Sequence, residues 1–299
     1  MNIVVVGAGA IGSFFGAMLS KNNNVFLVGR KKHVDSINKN GLRVDGKTKM
    51  NARVEAFTSV NDVYIVPDVV IIAVKSYDTE NALKSAESLI RNNTFVMSLQ
   101  NGLDNVEKIQ KKFKNDRIYI CITTHGVVFS KPGHIKHTGG GRTIMGCLNG
   151  KKTVFSTNIL NCLNESGIKT SFSKNIEREM WIKAIINSSI NPVTSIFSCK
   201  NGYLLKNPIL EKTIEKICTE STNIANTQGL KLSNSEMIKK TKQVINETSE
   251  NQSSMLQSIM NNKKTEIDSI NEKLIDVGRK HCVDTSLNEL LVYCVKKTW

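Results

Sequence analysis

Residues 2–19, "NIVVVGAGAIGSFFGAML", decide how the rest of the chain is read. Ile3 to Val6 form a short, unbroken apolar run of the β-branched kind found in buried parallel strands. Gly7, Gly9 and Gly12 come next in G-x-G-x-x-G spacing. Ile11, Phe14, Phe15, Met18 and Leu19 then recur at helical intervals, "NNN" at 22–24 makes a turn, and "VFLV" at 25–28 reads as a second strand ending at Gly29-Arg30. Strand, glycine turn, helix, strand is the context a dinucleotide fingerprint requires. Gly7 permits the tight turn, Gly9 lets the backbone approach a pyrophosphate, and Gly12 lets the helix pack close to the sheet. The phosphates would rest on the helix N-terminus, where N–H groups and the dipole favour anions. The expected cradle is therefore Gly7, Ala8, Gly9, Ala10, Ile11 and Gly12.

The same stretch mimics a membrane segment, because no residue from Asn2 to Ser20 is charged. It lacks a preceding basic region, however, and Gly7, Gly9, Gly12 and Gly16 interrupt it. No other uncharged apolar run approaches the roughly 20 residues of a spanning helix. A cytoplasmic protein with no membrane partner is expected.

The end of the second strand bears on which dinucleotide is bound. NAD binders usually place Asp or Glu there to accept hydrogen bonds from the adenine ribose. Here Gly29, Arg30, Lys31 and Lys32 stand in that place, with no acid before Asp35. A guanidinium binds a ribose 2′-phosphate with two parallel hydrogen bonds, where a carboxylate would repel it. The expected cofactor is NADP(H), with Arg30 as the main contact and Lys31 as a helper.

Three more strands fit the same sheet: "DVVIIAVKSYD" (68–78), "TFVMSLQNG" (94–102) and "RIYICITTHG" (117–126). Ligands bind outside the carboxyl ends of strands in open α/β sheets. Lys75, Asn101 and the Thr124-His125 pair thus fall on the expected rim, and Lys75, Asn101 and Thr124 join the cofactor set. His134 and His137 in "PGHIKHTGGGRTIMG" have a metal-like spacing, but the glycines and alternation point to a hairpin, and no metal site is expected.

Composition narrows the classes. A chain of 299 residues accommodates two domains with sizeable cores. Seven scattered cysteines, with no C-x-x-C pair, argue against a disulfide framework or thiolate zinc site and for a reduced compartment. The net charge of +15 is spread along the chain, and "RKKH", "KKFK" and "NNKK" lack interleaved aromatics, so no nucleic-acid partner is expected. A homo-oligomer is compatible with the chain.

Beyond Ser173 strand signals fade. Helical patterns run through "NIEREMWIKAIINSSIN" (175–191), "NPILEKTIEKICTESTNIANTQG" (207–229), "TEIDSINEKLIDVGRK" (265–280) and "DTSLNELLVYCVKK" (284–297), the last with Ser286 and Glu289 in capping-box spacing. The expected architecture is an α/β Rossmann-type dinucleotide-binding domain over 1–172 followed by an all-α domain over 173–299.

Within the first of these helices Glu179, Lys183, Asn187 and Asn191 recur every four residues, a narrow polar stripe on an otherwise apolar helix. A lysine held among Trp181, Ile182 and Ile186 is partly desolvated, which lowers its pKa toward working pH. Asn187 and Asn191 can hold a carboxylate or hydroxyl without adding a titrating charge. The stripe is expected to line a cleft, although Asn191, beside Pro192, equally reads as the end of the helix.

At "EREMWIKAIINSSINPVTSIFSCKNG" (177–202) the chain resembles ketopantoate reductase, the NADPH-dependent enzyme family of pantothenate synthesis. The resemblance spans nearly the whole chain: "GAGAIG", "QNG" at 100–102, "TTH" at 123–125, this helix, and "ENQSSMLQSIMNNKKTEID" at 250–268. It implies that Lys183 is the catalytic lysine with Glu266 as its acidic partner. It further implies that Asn101, Asn187, Asn201, Asn251 and Ser254 contact a 2-oxo acid substrate and that Arg30 and Lys75 serve the cofactor. Gly126 and Ser76 stand where the family often has alanine, which leaves fine specificity open. The implied reaction turns 2-dehydropantoate and NADPH into (R)-pantoate and NADP+. The rival expectations are a reductase of another branched 2-oxo acid and a non-catalytic NADP(H) sensor.

Ser254 and Glu266 are twelve residues apart, roughly 18 Å in a continuous helix. If both line one pocket, the chain must break between them. "NNKK" at 261–264 is the expected place, with Asn262 or Thr265 capping the next helix.

Overall fold

The apolar runs of the first half become strands, and the segments between them add more. In chain order the strands are β1 (Asn2–Val6), β2 (Asn24–Val28), β3 (Leu42–Gly46), β4 (Met50–Ala52), β5 (Glu55–Phe57), β6 (Val69–Ile72), β7 (Phe95–Ser98), β8 (Ile118–Thr123), β9 (Gly126–Lys131), β10 (His134–Gly139), β11 (Thr143–Cys147) and β12 (Thr170–Phe172). The helices are α1 (Ala10–Leu19), α2 (Lys31–Asn40), α3 (Thr79–Ala86), α4 (Asp104–Gln110), α5 (Val154–Glu165), α6 (Ile176–Ile196), α7 (Tyr203–Lys206), α8 (Pro208–Asn226), α9 (Asn234–Glu247), α10 (Ser254–Met260), α11 (Lys273–Lys280) and α12 (Ser286–Lys297). This computed structural model describes residues 1–297. The chain divides into two units: Met1–Gln100 with Asn105–Glu179, and Asn101–Asp104 with the chain from Met180 onward.

The first unit is built on an eight-stranded sheet of order β12-β11-β8-β7-β6-β1-β2-β5. All pairings are parallel except β11 with β8. Val4, Val5, Ile71 and Ile72 are fully buried, which is why these runs are continuous instead of alternating. From β1 the chain moves to β2 on one flank and later returns to β6 on the other. That reversal is the switch point at which α/β sheets bind ligands.

A second sheet has the order β4-β3-β10-β9; of the stretch 132–146, expected to form a hairpin, it takes only β10, which pairs antiparallel with β9 across Pro132-Gly133, while β11 joins the first sheet. The second sheet packs over α1, where the Phe14 ring lies 4.5 Å from that of His137 and 5.1 Å from that of His125. His134 and His137 diverge, as an odd spacing in a strand requires. His134 meets Asp45 at 2.7 Å, whereas His137 meets Thr48 at 2.9 Å and His125 at 3.1 Å. His33 accepts the Gly133 N–H on Nδ1 at 2.8 Å, which leaves Nε2 carrying the proton and facing Ser13 Oγ at 3.0 Å.

The second unit is helical, and two of its helices depart from expectation. α6 does not stop at Asn191: it continues through Pro192 to Ile196. Proline supplies no N–H to the carbonyl four residues back, and here the Asn271 side-chain amide donates to Ser188 O at 3.2 Å instead. The capping box expected at Ser286 and Glu289 does not form. The N-terminus of α12 is capped from α8, where the Glu220 carboxylate accepts the N–H groups of Leu287 at 3.0 Å and Asn288 at 2.9 Å. An anion there also complements the helix dipole. Among the described residues no helix is long and apolar enough to cross a membrane.

Candidate active site

The carboxyl-end rim of the large sheet, where a dinucleotide is expected, lies in the first unit. Gly7 has φ +109°, and a Cβ on it would sit 2.6 Å from Val74 N. A Cβ on Gly12 would collide with the Gly7 carbonyl. Both positions therefore exclude any side chain for internal reasons. Gly9 differs: a Cβ there meets no protein atom within 4 Å, so packing does not explain this glycine, whereas close backbone approach by a ligand does. Gly9 is also the N-cap of α1 and offers no side chain to its first N–H groups, which suits a phosphate. The cradle Gly7, Ala8, Gly9, Ala10, Ile11 and Gly12 thus fits a dinucleotide.

Arg30 occupies the N-cap of α2, its carbonyl accepting from His33 and Val34 and its side chain exposed. Lys31 is paired instead with Asp35 at 3.1 Å, both exposed. Lys75 lies just after β6 and is half-buried. Thr124 is pinned to the chain at Arg142, donating its N–H to Arg142 O and accepting the Arg142 N–H on Oγ1, both at 3.0 Å. Gln100 ties the ends of β6 and β7 together by donating to Val74 O at 2.9 Å and Thr79 Oγ1 at 2.7 Å.

Along α6 the polar stripe is preserved, with Lys183, Asn187 and Asn191 in the second unit. Trp181, Ile182, Ala184 and Ile185 are buried, while Glu179, Lys183 and Asn187 are half-buried and Asn191 is only 6% exposed. Burial lowers the Lys183 pKa to about 8, and the nearby Glu266 carboxylate works against that shift by favouring the charged amine. Glu266 is itself 6% exposed. The structure thus brings together two charged groups separated by 83 positions, and holds the amine where it is protonated yet close to titrating.

The break between Ser254 and Glu266 occurs where expected. α10 ends at Met260, and Asn262 takes a left-handed conformation with φ +50°. Neither Asn262 nor Thr265 caps the next helix, which opens at Ile267 and passes through a π-helical turn over Asp268–Glu272 before α11. Ser254 is the exposed first residue of α10, and the capping role falls to Ser253, which accepts the Leu256 N–H at 3.1 Å. Asn201 and Asn251 are adjacent, the Asn201 N–H donating to Asn251 O at 3.0 Å. The Asn201 amide donates to Thr248 Oγ1 at 2.8 Å, while its buried Oδ1 has no protein partner. Asn101 is half-buried and belongs with this unit. Sequence reading missed Asn271, Asn288 and Glu220, all buried polar groups beneath α6. Pro192 inside an apolar helix was the available signal, because it requires a donor from elsewhere.

Comparison with known proteins identifies the family. Residues 3–150 match the family described as Ketopantoate reductase PanE/ApbA, and residues 175–298 match its C-terminal counterpart. A 2-dehydropantoate 2-reductase from Pyrococcus horikoshii is 38% identical over 297 residues, covering 99% of this chain and 97% of that one. Another from Aquifex aeolicus is 31% identical, covering 99% of this chain and 96% of the relative. A solved structure of D-mandelate dehydrogenase with NADH and anilino(oxo)acetate superimposes with a TM-score of 0.93 at 29% identity, covering 99% of this chain and 98% of that one. The chain belongs to the ketopantoate reductase family and is an oxidoreductase that uses a nicotinamide dinucleotide.

Proposed function

We propose that the protein catalyses reduction of 2-dehydropantoate to (R)-pantoate with NADPH, a step toward pantothenate and coenzyme A. NADPH held at the Gly7–Gly12 cradle would supply a hydride to the C2 carbonyl carbon. The carbonyl π pair moves to oxygen, and that oxygen takes a proton from Lys183 Nζ, leaving a neutral amine that is reprotonated from solvent. A charged amine with a pKa near 8 stabilises the developing alkoxide and still releases its proton. Glu266 keeps it charged in the ground state. Asn187 and Asn191 on the same stripe, with Asn101, Asn201, Asn251 and Ser254, hold the substrate carboxylate and hydroxyl. The observation that carries this reading is the desolvated Lys183 facing a buried Glu266, which a passive NADP(H) sensor has no use for.

Arg30, with Lys31 and Lys32 in place of an acid, supports NADPH over NADH. Likeness to D-mandelate dehydrogenase with NADH keeps one rival in view, a reductase of another branched 2-oxo acid. Steady-state oxidation of NADPH and NADH, monitored by absorbance with 2-dehydropantoate and a panel of 2-oxo acids, separates the two. Preference for NADPH with 2-dehydropantoate is expected. Indifference to 2-dehydropantoate beside rapid turnover of another oxo acid would replace the substrate assignment.

A further inference from the structure

Beneath α6 lies a chain of buried amides that joins this helix to the turn just beyond Glu266 and to α12 and α8. It begins with a defect. Pro192 leaves Ser188 O, one residue past Asn187, without its intrahelical donor. Asn271 Nδ2 fills the gap at 3.2 Å and also donates to Asn288 Oδ1 at 2.9 Å. Asn288 Nδ2 donates in turn to Glu220 Oε1 at 2.7 Å and Ser221 Oγ at 3.2 Å. Asn271 and Asn288 are fully buried and Glu220 nearly so. The orientation of each amide is dictated by the next one: the Glu220 carboxylate already accepts two backbone N–H groups, so Asn288 turns its NH2 toward Glu220 and its oxygen toward Asn271. Asn271 must then present its own NH2 to both acceptors.

Asn271 lies on the π-helical turn just beyond Glu266. In that turn the Lys273 N–H reaches back to Asp268, one residue beyond its α-helical partner Ser269. The Ser269 carbonyl instead accepts the Leu103 N–H at 3.0 Å, two residues after Asn101. Such one-turn π segments are often found at functional sites.

We infer that Asn271 is a positioning residue, which through the proline gap of α6 and the π turn holds Lys183 and Asn187, Glu266 and the Asn101 loop in one register. The inference rests on the catalytic reading of Lys183 and Glu266. A simple structural role would require only that Ser188 O find a donor. The positioning role requires that the donor come from the segment carrying Glu266.

The two are separated by Asn271→Ala alone and combined with Pro192→Ala, which returns a backbone N–H to Ser188 O. Folding is monitored by circular dichroism and thermal midpoint, NADPH binding by fluorescence, and turnover of 2-dehydropantoate across pH. Asn271→Ala is expected to lower kcat about 10- to 100-fold, the scale of a small misplacement of reacting groups. Its alkaline limb should move to lower pH as the amine loses its carboxylate, while NADPH affinity holds. The double variant should regain thermal stability but not kcat, nor the position of the limb. Recovery of both in the double variant, or loss of fold in every variant, makes the amide structural and overturns the inference. If Lys183→Ala itself retains activity, the catalytic reading fails, a result distinct from either.

Discussion

The glycine turn after β1 and the lysine centre on α6 are built in opposite ways. The turn is backbone, contiguous from Gly7 to Gly12, and carries no titrating side chain. Its requirements are steric, so one added methyl at Gly7 or Gly12 violates it. The lysine centre is made of side chains from residues as far apart as Lys183 and Glu266. Its essential property, an amine pKa near 8, comes from burial opposed by a carboxylate. A site made of backbone tolerates changes in its distant surroundings. One made of desolvated side chains depends on them.

The largest effect should separate chemistry from cofactor binding. Lys183→Ala is expected to lower kcat by roughly 10²- to 10⁴-fold, the usual contribution of a positioned general acid. NADPH affinity, measured by fluorescence titration, should hardly change. For the intact enzyme, reduction requires the protonated amine, so kcat/KM should fall as pH rises through about 8. Glu266→Gln removes the charge that favours protonation, and the limb should move to lower pH. A profile flat to pH 10 would mean that Lys183 does not supply the proton.

Cofactor selectivity comes next. Arg30→Ala should weaken NADPH binding about 10- to 100-fold, the worth of one or two charge-assisted hydrogen bonds. NADH binding should stay unchanged. Equal losses for both would place the guanidinium on something common to the two dinucleotides, and selectivity would have to be sought at Lys75 or Thr124.

How much could be read without coordinates obeys the same division. The parallel core, the rim of Gly7–Gly12, Arg30, Lys75 and Thr124, and the helical second half are all visible in contiguous patterns, because period and turn chemistry are local. The Lys183 stripe was visible too, since a four-residue repeat needs only the helix. What the sequence could not carry was anything set by pairing at a distance. The four-stranded sheet needs β3 beside β10, the cap of α12 needs Glu220 from α8, and the passage of α6 through Pro192 needs Asn271. Local rules predicted a box at Ser286 and a stop at Asn191. In both places a buried side chain from another helix supplied the hydrogen bond that the local rule had assigned elsewhere.

The two units should also respond to opposite ends of the pH scale. Burial lowers both His33 and His125 to about 4, with His137 adding to the effect at His125. Each imidazole is neutral when folded and takes up a proton near 6.5 when unfolded. The unfolded state then binds more protons between those values, so stability is fully present above about pH 6.5 and is lost as pH falls toward 4. Allowing for partial exposure, each histidine should account for about 1 kcal/mol between pH 7 and 5. Thermal midpoints across that range should fall, and a His33→Asn, His125→Asn variant should flatten the dependence.

The smallest effect tests whether selectivity rests on one side chain. Lys31 was a candidate helper to Arg30, but its ammonium lies 3.1 Å from Asp35, and both groups are exposed. An exposed pair four residues apart on a helix is worth about 0.3–0.5 kcal/mol, so Lys31→Ala should barely move the thermal midpoint. If Asp35 keeps the lysine, NADPH affinity should fall less than about 3-fold, within what a change of one screened surface charge produces. A loss as large as that of Arg30→Ala would mean that the lysine leaves Asp35 for the 2′-phosphate. The weak pair would then be a resting place for a cofactor ligand, and the basic turn would share with the lysine centre a reliance on charged side chains that the glycine turn lacks.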